Sequence, residues 1–243
     1  MITLSQATEF GKRFQINVET IYREYLQLVI LDRVYQNKEA VNFCFKGGTA
    51  LRLLFNSSRF SEDLDFDTVL SKKGIISLMN ETGKNLAGEF PQLQITKLYS
   101  GKNGMRFRVK LEVPELKFPI VVRMDFTHVT KINAETSSLR TELPIIILPL
   151  IYHFSQKNIL REKFLALVER DKGRDLFDIL FLLRSKIEFE PKTVTSAVIN
   201  KIKNFSQAKL ESDLGQFLPA GQKSLVIRLK DLLIEELNLR IHG

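Results

Sequence analysis

Apolar residues in the first 40 positions recur at mixed three- and four-residue spacing, which is the pattern of helices with a buried face. A short apolar run at residues 43–45 follows and predicts a buried strand. Gly47 and Gly48 end this run, and the apolar residues 50–55 after them predict a further helix. This part of the chain therefore predicts helix, strand, glycine turn and helix in close succession.

Strict alternation of apolar and polar residues begins in the segment 61–67. Residues two apart share one face of a strand, so a strand here would turn its acidic side chains to one side and its apolar side chains to the core. The acidic positions are Asp63, Asp65 and Asp67, and the apolar ones are Leu64 and Phe66.

A second alternating region covers residues 105–113 and 120–126, with the turn-rich residues 114–119 between them. Two alternating runs joined by a turn predict an antiparallel hairpin. On its second strand the polar face carries Asp125 together with Arg123 and Thr127.

The remainder of the chain is helical in pattern, at residues 160–168, 176–183 and 222–239. An apolar run between two prolines, residues 143–150, precedes it and is interpreted as the lobe boundary. The pattern predicts a mixed α/β core with N-terminal helices at residues 1–148 and a helical lobe at residues 149–243.

Composition adds the setting. The chain has 243 residues, of which 44% are hydrophobic and 26% charged, as in ordinary globular proteins. It shows no apolar run of the roughly 20 residues that a membrane helix needs, no secretory signal, and a lone cysteine, Cys44. These features favour the cytoplasm. The formal charge of +8 would attract polyanions such as RNA, although it also occurs in proteins that bind no nucleic acid.

Two features suggest phosphate and metal chemistry. Paired glycines before a helix let backbone N–H groups approach a phosphate, although Gly-Gly is also common at such turns for steric reasons. Asp63 and Asp65 on one strand face would repel each other unless a cation lay between them, and Mg²⁺ prefers such oxygen ligands. Asp125, set among apolar residues, could complete a two-metal site. The alternative is a solvated acidic strand edge.

A third feature lies in the helical lobe. Asp175 and Asp178 are spaced to share one face of a helix, and Lys163 on the preceding helix could reach a triphosphate as a point charge. The alternative is a set of helix caps and exposed salt bridges.

Several other chemistries have no support in the sequence. Three scattered histidines and one cysteine offer no zinc-ligand spacing, and His128 is interpreted as a strand-end or core residue; the other two are His153 and His242. The motifs of serine hydrolases, P-loop proteins and dinucleotide-binding proteins are absent from the sequence.

Residues 45–53 and 59–66 together resemble the signature of the AbiEii/AbiGii toxin family, which includes the MenT toxins and belongs to the DNA polymerase β-like nucleotidyltransferases. Residues 162–163 and 174–178 are similar to the C-terminal motif of that family. The resemblance runs from about residue 45 to residue 183. It implies an α+β fold with a nucleotidyltransferase-like mixed sheet core, flanking helices and a C-terminal helical lobe that completes the active site.

The resemblance also implies roles for individual residues. The catalytic set would be Asp63, Asp65, Lys163 and Asp175, and the metal ligands would be Asp63, Asp65 and Asp125. The nucleotide-binding set would be Lys46, Gly47, Gly48, Thr49, Arg52 and Ser61, of which Arg52 and Ser61 would steady either the phosphates or the carboxylate strand.

The implied reaction is Mg²⁺-dependent transfer of a nucleoside monophosphate from an NTP to an acceptor hydroxyl of tRNA or protein. The implied role is that of a toxin with a cognate antitoxin, without a membrane partner. Two alternatives stay open: a nucleotide-binding or interaction module with a vestigial site, and an acidic surface that binds structural Ca²⁺.

Overall fold

Two long helices open the chain in the computed structural model, which describes residues 1–139 and 141–242. Helix α1 (Leu4–Phe14) begins with a capping box in which Thr3 and Gln6 satisfy each other's backbone N–H groups. Helix α2 (Val18–Tyr35) is capped by Asn17 and is buried along most of its length. The predicted N-terminal helices are confirmed.

The core of the fold is a mixed seven-stranded sheet. Its strands are β1 (Phe43–Lys46), β2 (Asp63–Thr68), β3 (Leu93–Ser100), β4 (Gly104–Leu111), β5 (Ile120–His128), β6 (Glu135–Ser138) and β7 (Leu150–His153). The strand order is β3-β4-β5-β2-β1-β7-β6. Strand β2 pairs antiparallel with β1 and parallel with β5, so it lies near the middle of the sheet.

Phenylalanines from adjacent strands form the apolar face of this sheet. The ring of Phe66 lies 5.1 Å from that of Phe126 and 5.5 Å from that of Phe45, measured between centroids. All three side chains are almost completely buried. This packing is why the intervening acidic residues of β2 must point to the opposite face.

The predicted hairpin is confirmed as β4 and β5, which pair antiparallel. The predicted turn at the paired glycines is wrong in one respect: helix α3 (Gly47–Phe55) begins at Gly47 itself, with Lys46 in extended conformation before it. The pattern also missed helix α4 (Lys72–Ala87) and strands β3, β6 and β7.

The chain divides into two compact units. Unit 1 comprises Met1–Asn56 and Phe60–Phe154, and unit 2 comprises Ser57–Arg59 and the chain from Ser155 onward. The boundary predicted after residue 148 lies just before β7, which belongs to unit 1.

Unit 2 is helical, as predicted. It contains α5 (Gln156–Glu169), α6 (Gly173–Arg184), α7 (Ser196–Asn204), α8 (Gln207–Leu214) and α9 (Leu225–His242). Helix α6 is buried along most of its length and forms the centre of this unit. In the described part of the chain, no helix combines the length and the apolar character needed to cross a membrane.

Candidate active site

Three of the predicted carboxylates lie together on the polar face of the sheet in unit 1. In the parallel pairing of β2 with β5, Asp65 lies opposite Asp125 and Asp63 lies opposite Arg123. Paired residues on adjacent strands share a face and are separated by about 5 Å. Asp63, Asp65 and Asp125 therefore form one acidic cluster, which is called the carboxylate face below.

Two arginines hold this carboxylate face. Arg123 Nε donates to Asp63 Oδ1 at 2.9 Å, and Arg106 Nε donates to Asp125 Oδ1 at 2.5 Å. The hydrogen bond to Asp125 raises the pKa of Arg106, and the charges of Asp125, Asp63 and Asp65 raise it further, against a smaller lowering by burial. The guanidinium of Arg106 thus interacts electrostatically with all three carboxylates.

Arg106 and Arg123 were not among the predicted site residues. Alternation did assign Arg123 to the same strand face as Asp125, and it places Arg106 on the polar side of β4. Their contacts depend on which strands are neighbours, because Arg106 meets Asp125 across the β4–β5 pair and Arg123 meets Asp63 across the β2–β5 pair.

The position of the Asp65 side chain requires a residue without a side chain at position 47, which is Gly47. Its φ is +81°, in the left-handed region that favours glycine, and an added Cβ would collide with Oδ2 of Asp65 and lie 3.1 Å from its Cγ. The Asp65 carboxylate therefore lies against the N-terminal turn of α3, where the helix dipole and free N–H groups favour negative charge. The same turn could accept a phosphate group.

Lys46 and Thr49 bind the acidic strand β2 through their side chains. Lys46 Nζ lies 2.7 Å from Asp67 Oδ1, and the buried Thr49 hydroxyl donates to the Asp63 carbonyl at 2.5 Å. These contacts fix the strand that carries the acidic cluster. The predicted contacts of Lys46, Gly47, Gly48 and Thr49 with the nucleotide stay predictions.

Arg52 and Ser61 contact the N-terminal helices. Arg52 Nε donates to Glu24 Oε2 at 2.8 Å, and the guanidinium carbon lies 3.9 Å from the centroid of the Phe60 ring. The Ser61 carbonyl accepts a hydrogen bond from Gln27 at 3.0 Å. These contacts brace the segment that leads into β2, and the predicted phosphate contacts of both residues stay predictions.

The carboxylate face suits Mg²⁺ in its chemistry. Within the described residues, no three Asp, Glu, His or Cys side chains converge closely enough to hold a metal ion. Asp63 and Asp125 are turned toward arginines instead. All three groups are nevertheless carboxylates on one sheet face, which are the oxygen donors that Mg²⁺ prefers. The donor atoms of these residues therefore fit the ion in chemical type.

The histidine side chains that the structure describes, those of His128 and His153, form no hydrogen bond or ion pair with the carboxylate face. His128 ends β5 and is exposed, which confirms its interpretation as a strand-end residue. His153 is buried and its Nε2 lies 2.9 Å from the hydroxyl of Ser137. The side chain of His242 lies outside what the structure describes.

Unit 2 contains a second charged cluster, formed by a buried ion network. Lys163 Nζ lies 2.9 Å from Asp175 Oδ1 and 2.7 Å from Asp178 Oδ2. Arg59 grips Asp178 with two hydrogen bonds of 2.9 Å each, and Arg170 binds Asp175. Both aspartates are fully buried, so the network requires that each carboxylate meet a cation. The predicted shared face of Asp175 and Asp178 is confirmed.

The network shifts the pKa values of its members in the directions expected for ion pairs. Burial raises the pKa of Asp175, but Lys163 and Arg170 lower it more, to about 2. Burial likewise raises the pKa of Asp178, and Arg59 and Lys163 bring it below its usual range. Burial lowers the pKa of Lys163, whereas Asp178 and Asp175 raise it and prevail. All three groups are therefore charged at neutral pH.

The low pKa of Asp175 predicts acid sensitivity of unit 2. A folded-state pKa of about 2, against an ordinary value of 3.8, stabilises the fold above pH 4, and this contribution is lost as the pH falls from about 4 to about 2. The expected loss from this group is about 2 kcal/mol. Urea unfolding at a series of pH values measures it.

The matched variants for this experiment are Asp175→Asn and Asp231→Asn, the latter on the exposed face of α9. Asp175→Asn should show a weaker dependence of stability on pH in this window, whereas Asp231→Asn should follow the wild type. Equal slopes for wild type and Asp175→Asn would contradict the assignment.

The mixed sheet presents neighbouring carboxylates beside the N-terminal turn of α3, so that groups suited to a metal ion and groups suited to a phosphate are adjacent. The sequence model of the family described as "Nucleotidyl transferase AbiEii toxin, Type IV TA system" matches residues 29–238. The chain belongs to this family, and the family resemblance predicted from the motifs is confirmed.

Solved structures share the fold. The chain is similar to JHP933 from Helicobacter pylori, with a TM-score of 0.60 and 19% identity over 93% of this chain and 94% of that one. It is also similar to MenT4, a nucleotidyltransferase toxin from Mycobacterium tuberculosis, with a TM-score of 0.58 and 16% identity over 99% of this chain and 94% of that one. The α+β fold prediction is confirmed. No curated protein matches the sequence.

Proposed function

We propose that the chain is a Mg²⁺-dependent enzyme that transfers a nucleoside monophosphate from an NTP to an acceptor hydroxyl. The observation that carries this proposal is the juxtaposition of Asp65 and Asp125 on paired strands, with Asp63 on the same face. The N-terminal turn of α3 lies against this cluster at Gly47, so metal-binding and phosphate-binding groups are adjacent. The α-phosphate of the NTP and the acceptor hydroxyl would therefore meet at the carboxylate face.

In this proposal Asp63, Asp65 and Asp125 hold Mg²⁺, which supplies positive charge for the phosphates and for the attacking oxygen. The acceptor hydroxyl gives up its proton to solvent as its oxygen attacks the α-phosphorus. The bond from that phosphorus to the bridging oxygen breaks, and pyrophosphate leaves with that oxygen. The chain contributes positioning: backbone N–H groups at the start of α3 bind phosphate oxygens, and Thr49 and Lys46 keep β2 in place.

Lys163 and Asp175 complete the proposed catalytic set, Lys163 as the lysine that contacts the nucleotide and Asp175 as the additional essential acid. The support for these two roles is the match of residues 162–163 and 174–178 to the C-terminal motif of the family. Their buried ion pair in unit 2 indicates a structural contribution beside any catalytic one.

The proposed acceptor is a hydroxyl of tRNA or of a protein, and the formal charge of +8 favours an RNA. As a member of a toxin family, the chain is proposed to act in the cytoplasm and to be neutralised by a cognate antitoxin. Family membership supports both proposals.

Label transfer tests the proposed activity. Wild-type protein is incubated with each of the four α-³²P-labelled NTPs, Mg²⁺, and total RNA or the protein itself. Asp63→Asn should reduce labelling by a factor of about 100 or more, because it removes a charge from the metal site. The exposed Asp231→Asn is the matched control and should label like the wild type.

The alternative is a nucleotide-binding or interaction module with a vestigial, non-catalytic site. The ion pairs of Asp63 and Asp125 with arginines favour it, because they occupy carboxylates that a metal ion would need. It predicts that the wild type and Asp63→Asn label RNA and protein equally poorly, while the protein still binds nucleotide. Efficient labelling by Asp63→Asn would also refute the proposed site.

A further inference from the structure

Arg106 and Arg123 form ion pairs with the carboxylate face although both side chains are partly exposed. Each of these two arginines donates to a different carboxylate, Arg106 to Asp125 and Arg123 to Asp63. Both are rooted in the sheet, yet their side chains are 48% and 46% exposed. Two partly exposed positive charges thus face a cluster of three negative charges.

The arginines relieve a repulsion that the sheet imposes. The paired residues Asp65 and Asp125 lie on strands about 5 Å apart, and like charges on such neighbours repel each other appreciably even near a protein surface. Guanidinium groups on two of the three carboxylates offset this repulsion. A divalent cation bound at this face would carry the same total charge as the two arginines and would draw on the same two carboxylates, those of Asp63 and Asp125. The ion and the arginines therefore compete.

An arginine displaced from its carboxylate stays anchored to its strand beside the site. The planar fork of a guanidinium matches phosphate oxygens with paired hydrogen bonds, and Arg is well suited to binding phosphate groups. A nucleotide bound through Mg²⁺ at these carboxylates would place its phosphates within the reach of long side chains on β4 and β5.

We propose that Arg106 and Arg123 are exchangeable counter-ions of the carboxylate face. Without a cation they neutralise Asp125 and Asp63, and when Mg²⁺ and nucleotide bind they release the carboxylates and donate to the phosphates of the nucleotide. The inference rests on the proposed function and assigns substrate-binding roles to two residues outside the family motif.

The chain offers a closely matched control in Arg108. It lies two residues from Arg106 on the same face of β4, it is exposed, and it is the register partner of Arg123. Among the described residues it forms no ion pair with an acidic side chain. Arg108→Gln removes the same charge from the same face of the sheet, and so reports the general electrostatic effect alone.

The first measurement is the affinity for Mn²⁺ without nucleotide. The electron paramagnetic resonance signal of free Mn²⁺ reports how much of the ion is bound. Removal of a competing ion pair should tighten binding by about fivefold in Arg106→Gln and Arg123→Gln, the size expected for a partly exposed pair. Arg108→Gln should show a smaller change. A structural role alone would not make the ion bind more tightly.

The second measurement is nucleotide affinity at saturating Mn²⁺, with the non-hydrolysable α,β-methylene analogue of the NTP that labels best. Arg106→Gln and Arg123→Gln should each bind it about tenfold more weakly, because charge-assisted hydrogen bonds to phosphate are lost. Arg106→Lys keeps the charge without the planar fork and should fall between Arg106→Gln and the wild type.

The opposite signs of the two effects make the test specific. The proposal is overturned if both glutamine variants match Arg108→Gln in either measurement. It also falls if Mn²⁺ binding weakens together with nucleotide binding, since that result indicates general damage to the site. If the wild type binds neither Mn²⁺ nor nucleotide, the proposed function itself fails, which is a distinguishable result.

Discussion

Replacement of Lys163 by methionine is expected to lower the free energy of unfolding by about 3–5 kcal/mol, the usual effect of breaking a buried ion pair from one side. The change removes a cation that contacts both Asp175 and Asp178. Both carboxylates are fully buried, so water cannot replace the lost ammonium group. Urea unfolding followed by circular dichroism measures the effect, with the exposed Lys223→Met as the control.

A second substitution separates this structural role from a direct contact with nucleotide. In the Lys163→Met background, Asp175→Asn removes a negative charge whose remaining partner, Arg170, is half exposed, and it should restore part of the lost stability. A purely substrate-binding lysine would behave differently: Lys163→Met would unfold like the wild type and lose only nucleotide affinity. That outcome would show that the network contributes little to the fold.

Gly47→Ala is expected to reduce label transfer by a factor of about 100 or more, because the new methyl group would occupy the place of the Asp65 carboxylate. The variant should also lose about 1–3 kcal/mol of stability, since Gly47 has a φ of +81° that alanine adopts poorly. Activity and urea unfolding are measured on the same preparation.

Gly88→Ala provides the matched control for this substitution. Gly88 lies at the end of α4, has no positive φ, and an added Cβ there would meet no atom within 4 Å. It should retain wild-type activity and stability. If Gly47→Ala remained fully active, Asp65 could not be held in the position that the proposed mechanism requires.

Much of the carboxylate face could be predicted from the sequence because a half-buried strand alternates. Leu64 and Phe66 belong to the core, and this assigns Asp63 and Asp65 to the other face without further information. The alternation of residues likewise identified the polar face of β5, where Asp125 lies. Local periodicity is sufficient wherever one face of a strand is buried.

The arginine pairs could not be predicted in this way. They depend on β2 lying between β1 and β5, and on β5 lying next to β4, which is a property of sheet order and register. Periodicity within one strand contains no information about its neighbours. Asp178 presents the same problem, because its partner Arg59 is distant in sequence.

The missed elements had weak or unused signals. Strand β3 is largely exposed, and β6 is a short polar edge strand, so neither shows the alternation of a half-buried strand. Helix α4 did carry a signal, since Ser71 caps it and its buried residues recur at helical spacing; they are Ile75, Leu78, Met79, Thr82 and Leu86.

The position of Arg59 has a consequence for how this chain can be synthesised and cut. The segment Ser57–Arg59 belongs to unit 2, although the chain before and after it belongs to unit 1. On the ribosome, Arg59 is made long before its partner Asp178, so this ion pair cannot form until α6 has emerged. A fragment that starts at Ser155 would lack Arg59 altogether. The helical unit therefore cannot be produced with its complete buried ion network from the C-terminal part of the chain alone.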